Sequence, residues 1–291
     1  MEPLQVAPGR PVSRLRATVG RRPVLTYFLL AYLLSWAWCV PLVIGGDTVR
    51  AGVGWPTNMP ALMGPVLAAV IVTALVDGRA GLRDLWSRVT RWRVGWIWWL
   101  LVAATLSLGL LGVLVPLLTG QSIPALADFT SYTGIGPITP LGVVVVAFLC
   151  GLGEETGWRG FAADRLLREH NLTWTALVVG VGWAGWHLPL FWLVDSFHSM
   201  GVMALGWFVG LLAGSLVLTY LYREGHRSVL LVASWHTAFN LVSGTKATGV
   251  VVGTLSSVLV ICWALWVVRR ERVSRRGAEV KDGYAARDLR H

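Results

Sequence analysis

The chain alternates long apolar runs with short polar gaps. Runs long enough to cross about 30 Å of hydrocarbon fall near 24–45, 58–76, 95–118, 138–161, 173–194, 200–222, 228–243 and 247–268. This pattern predicts an all-α, polytopic membrane protein with about eight transmembrane helices. The first run follows Arg10, Arg14, Arg16, Arg21 and Arg22 and is about 22 residues long, against roughly 7 to 15 for the apolar part of a cleaved signal peptide, so it reads as a retained helix. The seventh is short and ends at a Gly244-Thr245-Lys246 turn, which makes it the weakest of the eight.

The gaps carry most of the charge, and they orient the chain. Five basic residues precede the first span, one lies in 46–57, five in 77–94 and none in 119–137. Counting on, Arg159 and the 162–172 stretch supply three, 195–199 none, 223–227 two, 244–246 one and the tail eight. High alternates with low at every step, so both termini are expected in the cytoplasm. The organisation that follows is a basic N-terminal segment (1–23), three helices (24–137) and a core (138–245), then a last helix (246–268) and a basic tail (269–291) expected to be disordered. Within 77–94, Leu82 to Arg93 mixes basic and aromatic residues at roughly helical spacing, the mark of a helix lying in the headgroup layer. Gly206, Gly210 and Gly214 form a small-xxx-small stripe in the sixth span, expected to admit close packing against a neighbouring helix of the same chain.

Composition sharpens this. Of 291 residues 55% are hydrophobic and 14% charged, against roughly 25% charged in a soluble domain. A water-soluble globule and a disordered chain are excluded, and three scattered cysteines (Cys39, Cys150, Cys262) exclude a disulfide framework. The net charge of +10 sits in the gaps, so it marks topology and the bilayer rather than a nucleic-acid partner. Arg outnumbers Lys 23 to 2, a bias that suits a GC-rich bacterial gene and hence a bacterial cell membrane. No oligomeric state follows from the sequence.

Chemistry enters with the residues that do not belong in hydrocarbon. Only two of the fifteen acidic residues, Glu154 and Glu155, fall inside an apolar run, and His187, His236 and Asn240 join them. Ionisable groups at membrane depth are costly and usually face a functional interior. Glu155 and Arg159 are four apart and so share a helix face, where they can form an ion pair; Glu154, about 100° round the helix, is free for other work. His236 and Asn240 are also four apart, and Trp183 lies one turn before His187, with Pro189 just beyond. Counted along straight helices at about 1.5 Å per residue, Glu154 stands on the order of 10 Å above its cytoplasmic end, His236 roughly 12 Å, Asn240 roughly 18 Å and His187 roughly 20 Å. Tilt, a kink at Pro189 or a boundary displaced by a turn must close that gap.

A carboxylate, two imidazoles and an amide can activate water and stabilise an oxyanion, the equipment for amide hydrolysis. Glu154 is then the base, His187 holds or polarises the water, and His236 and Asn240 donate to the tetrahedral oxygen. Glu155, Arg159 and Trp183 support the site. Alternatively Glu154, His187 and His236 are a ligand set suited to zinc. There is no His-Glu-x-x-His motif and no Gly-x-Ser-x-Gly elbow.

Glu154-Glu155-x-x-x-Arg159, Trp183-x-x-x-His187 and His236-x-x-x-Asn240, in that order on successive apolar segments, resemble the type II CAAX prenyl protease family. Its bacterial members are also called CPBP intramembrane metalloproteases or lysostaphin-resistance-protein-A-like proteins. The resemblance covers about 140–245. It implies an eight-helix bundle with a cavity open towards the cytoplasm, and cleavage of a peptide bond in a membrane-associated protein or peptide by water activated at Glu154. The family's second motif often has Phe where Trp183 stands. Two other classes use similar residues: a proton-coupled transporter, and a non-catalytic immunity or scaffold protein on the same bundle.

Overall fold

The computed structural model describes residues 11–125, 128, 130–244 and 249–288. Ten helices are named here. The short basic α1 (Pro11–Arg21) precedes α2 (Pro23–Ile44), α3 (Met59–Val76), the amphipathic α4 (Gly78–Val89) and α5 (Trp96–Thr119). Then come α6 (Pro140–Leu166), α7 (Leu172–Leu193), α8 (Met203–Glu224), α9 (Val229–Ser243) and α10 (Gly249–Asp288). Seven of these contain an apolar stretch long enough to cross a membrane, and they follow the expected spans closely. The chain is an all-α polytopic membrane protein.

The eighth expected span, α9, has 15 residues, about 22 Å at 1.5 Å per residue, and is too short to cross unaided. It is held instead in the middle of the bundle, packed against α5, α6, α8 and α10. Val229, Leu231, Val232, Ala233, Trp235 and His236 on it are all buried. A helix enclosed by protein need not match the bilayer thickness, because its ends meet other chain segments rather than lipid.

Three helices that matter below start at side-chain caps, which satisfy otherwise orphaned backbone N–H groups. Thr139 accepts from Gly142 N at 3.1 Å, with Pro140 in the first turn, Asn171 accepts from Trp174 N at 2.9 Å, and Ser228 accepts from Leu231 N at 3.0 Å. These caps fix where α6, α7 and α9 begin. Beyond Gly157, α6 widens into a π-helical turn, Trp158–Ala163, then continues to Leu166. It therefore ends about a turn later than expected, lifting Glu154 to roughly 18 Å above that end and closing most of its distance from His187. The regular part of α7 stops at Trp186, and His187 lies in a tight turn whose Leu188 N–H donates to Gly185 O at 3.1 Å.

The helix of the last span runs on to Asp288, where Ala, Arg and Glu residues are strong helix formers that extend a helix already nucleated in the membrane. One expectation is corrected. The glycine stripe packs against nothing among the described residues: a methyl added at Gly206, Gly210 or Gly214 would meet none of their atoms within 4 Å. Close approach occurs instead at Gly157, where an added Cβ would lie 2.8 Å from Pro65 Cβ and O and would also collide with the Tyr27 hydroxyl. The 77–94 gap does hold a helix, α4, but Arg88 on it turns inward and is buried. The Gly244-Thr245-Lys246 turn lies partly outside the described residues.

Candidate active site

Glu154 and Glu155 sit on the last regular turn of α6 and are buried, as are His187 at the end of α7 and His236 midway along α9. The Trp183 indole joins the three helices. Its Nε1–H donates to Glu154 Oε2 at 2.9 Å, the edge of its ring meets the His236 ring with centroids 5.3 Å apart, and the Arg159 guanidinium lies 4.7 Å from its centre. Its main-chain oxygen is 2.8 Å from His187 Nδ1. Trp183 was read from sequence only as support; in the structure it is the contact that gathers the site.

Behind it lies an ion cluster. Arg159 Nη1 bonds Glu155 Oε1 at 3.0 Å with both side chains 0% exposed, and His236 Nδ1 is 2.8 Å from the same oxygen. The i,i+4 pair read from sequence is therefore present and fully enclosed. Arg159 Nε and Nη2 and Glu155 Oε2 have no partner among the described residues. The position of the His187 imidazole restricts its tautomer. A carbonyl oxygen only accepts, so His187 carries its hydrogen on Nδ1 and presents a bare Nε2. His236 Nδ1 lies beside a carboxylate oxygen without a regular hydrogen bond to it, so that contact places the ring but does not fix its tautomer.

Asn240 is not drawn in. It lies one turn beyond His236, is exposed, and has no hydrogen bond to the cluster. Nor do the expected zinc ligands converge: among the described residues no group of three His, Cys, Asp or Glu side chains could hold a metal. Both imidazole Nε2 atoms are chemically suited to ligation, but Glu154, His187 and His236 as placed here do not form one coordination sphere.

Sequence reasoning missed two features. Tyr132, in the loop before α6, hydrogen bonds the Cys150 side chain within electrostatic reach of Glu154; burial, then the neighbouring Cys150 and Glu154, push its phenol above the ordinary value, so it keeps its proton. A tyrosine in a polar gap gives no signal of this. The second is a hub at the end of the bundle where α4, α6 and α8 meet. Buried Asp164 lies 3.1 Å from Arg88, 2.8 Å from Arg168 and 2.6 Å from Arg227, and accepts from the Tyr222 hydroxyl at 2.9 Å. Asp164 had been assigned to a gap, yet it is as buried as Glu154. The hub anchors the helix that carries the two glutamates.

A carboxylate, two imidazoles and a buried ion pair thus lie together inside the helical bundle. Residues 136–242 match the family model of the Rce1-like type II CAAX prenyl endopeptidases. CAAX prenyl protease 2 of Methanococcus maripaludis is 24% identical over 230 residues, covering 75% of this chain and 81% of the relative. These findings support the CAAX protease family for this chain, and the matched segment holds every residue of the three motifs.

Proposed function

We propose that the chain is an intramembrane endopeptidase that hydrolyses a peptide bond of a membrane-associated protein or peptide. The observation that carries this reading is that the Trp183 side chain touches Glu154, His187 and His236, which come from three separate helices. The family match and the relative's name favour a peptidase of the CAAX type, and a prenylated C-terminal peptide is the first substrate to try.

Glu154 acts through Oε1, the oxygen that Trp183 leaves unheld, and takes a proton from water. His187 accepts the water's second hydrogen at Nε2 and so aims its oxygen. The oxygen attacks the scissile carbonyl, and the charge on the resulting tetrahedral oxygen is met by His236 Nε2–H when that ring carries both protons, opposite Glu155. Asn240 joins as a second donor if substrate draws its turn inward. The C–N bond then breaks, and the proton held by Glu154 passes to the leaving amine. General-base help of this kind is worth about 10² to 10⁴ in rate. No step is routed through zinc, since the three side chains expected to hold it do not converge.

An apolar groove of about 350 Å³ between α3, α4 and α6 is lined by Val66, Val70, Leu85, Trp86, Leu149 and Gly153. It runs beside the turn that carries Glu154 and offers a lipid-linked peptide an approach from the bilayer. Cytoplasmic termini are part of the same proposal. They are supported by the charge alternation of the loops and by the collection of Arg88, Arg165, Arg168 and Arg227 around Asp77 and Asp164 at one end.

The test compares membrane-peptide termini from cells making the native chain with those from cells making Glu154→Gln at equal abundance. Termini found only with the native chain are expected, and they name the substrate. Identical termini in both, with the protein abundant, refute the peptidase reading and leave the transport and scaffold readings in place.

A further inference from the structure

We infer that Trp183 is the positioning residue of this site, selecting through its indole N–H which carboxylate oxygen of Glu154 acts on water; this rests on the peptidase reading above. A carboxylate on a helix end can rotate about its last bond and present either oxygen. The Nε1–H bond of 2.9 Å to Oε2 removes that freedom and leaves Oε1 as the oxygen Trp183 does not hold. The indole is itself fixed on three sides. The Arg159 guanidinium covers one face at 4.7 Å, the His236 ring abuts it at 85°, and the His187 ring lies against it with centroids 5.7 Å apart. Trp183 is 6% exposed, so the bond is shielded from competing water.

The consequence is specific to the N–H. An aromatic ring without it would keep the guanidinium contact and the packing against His236, yet would leave Glu154 free to turn. A hydrogen bond to a charged group carries about 1.5 to 3 kcal/mol, which converts to a loss of roughly 10- to 100-fold at 1.4 kcal/mol per decade. Orientation acts on the reacting state, so the loss belongs in kcat rather than KM.

The experiment replaces Trp183 with Phe and, by suppressor incorporation, with β-(3-benzothienyl)alanine, which keeps the shape of tryptophan but has sulfur in place of N–H. The substrate is a quenched fluorescent peptide ending in farnesylcysteine and three further residues, cleaved by the full-length protein in detergent micelles. Both replacements are expected to lower kcat about 10- to 100-fold with KM within a factor of two and the melting temperature within a few degrees. Full kcat in the benzothienyl protein overturns the inference, because shape alone would then suffice. Glu154→Gln in the same assay separates the two claims: if it still cleaves, the base assignment falls and this inference with it. A melting cycle over native, Trp183→Phe, Glu154→Ala and the double variant reads the contact independently of activity. The double variant is expected to lose less than the two single losses combined, and strict additivity overturns the inference.

Discussion

The enclosed Glu155–Arg159 pair makes the sharpest prediction about stability. Glu155→Gln keeps the shape of the side chain and removes its charge. At the observed 3.0 Å and an effective dielectric of about 20, two unit charges attract by roughly 5.5 kcal/mol. The substitution leaves a guanidinium that is 0% exposed, with Nε and Nη2 unpartnered among the described residues, the Trp183 ring 4.7 Å away and Glu154 as the remaining carboxylate within electrostatic reach. It also takes from His236 the carboxylate oxygen beside Nδ1. Stranding one partner of a buried pair typically costs about 3–5 kcal/mol, and that is the loss expected here, out of a total of about 5–15 kcal/mol for an ordinary protein. Removing both charges should behave differently. Glu155→Leu with Arg159→Met fills the space with apolar atoms and strands nothing, so the double variant should recover to within about 2 kcal/mol of the native chain, the remainder being the lost cation–π contact. Equilibrium unfolding in mixed micelles against increasing denaturing detergent, followed by tryptophan fluorescence, measures both. A Glu155→Gln protein within about 1 kcal/mol of native, or a double variant no better than the single, would falsify the claim that this pair is buried and mutually dependent.

Three further outcomes can be checked on the same protein. Asp164→Asn should cost about 3 kcal/mol in that unfolding assay, because it leaves buried Arg88 with half-exposed Asp84 as its charged partner beside the neutral acceptors Gly160 O and Tyr222 Oη, whereas Arg168→Ala, at a side chain 61% exposed, should cost less than about 1 kcal/mol. Gly157→Ala should lose about 1–3 kcal/mol by pushing α6 off Pro65 and Tyr27, while Gly210→Ala, which faces open space, should gain up to about 1 kcal/mol from helix propensity; a loss at Gly210 in the melting curve would mean that something does pack on that face. Elemental analysis of the purified chain should find no stoichiometric zinc, since among the described residues no three His, Cys, Asp or Glu side chains are placed to hold one; one zinc per chain, lost in His187→Ala, would show that Glu154, His187 and His236 close on a metal in solution.

The membrane fold was legible because hydrocarbon imposes a length and a composition that few other environments demand. The runs starting near 24, 58 and 95 therefore matched helices α2, α3 and α5 within a residue or two. What the runs could not carry was anything decided by a partner helix. α9 fails the length rule because it is walled by protein, and the glycines of α8 look like a packing motif whether or not anything packs there.

At the site the same division holds, at finer grain. Glu154, Glu155, His187 and His236 announced themselves by cost, since an ionisable group in an apolar run has to be compensated by something nearby. The pairing of Glu155 with Arg159 followed from their spacing on one helix. Trp183 was legible only as a supporting residue one turn before His187, since a tryptophan in a membrane chain is ordinary, and Asp164 was not legible, since an aspartate just past an apolar run reads as a loop residue. The role of each appeared only when a second helix was set against it, the indole by pointing its one donor at Glu154 and the aspartate by collecting charges from α4 and from the turn after α8. Asn240 shows the converse. Its spacing from His236 was right, but spacing fixes a shared face along a helix and not the depth to which that face is buried, so an amide one turn on can stand outside the cluster that its neighbour helps to form.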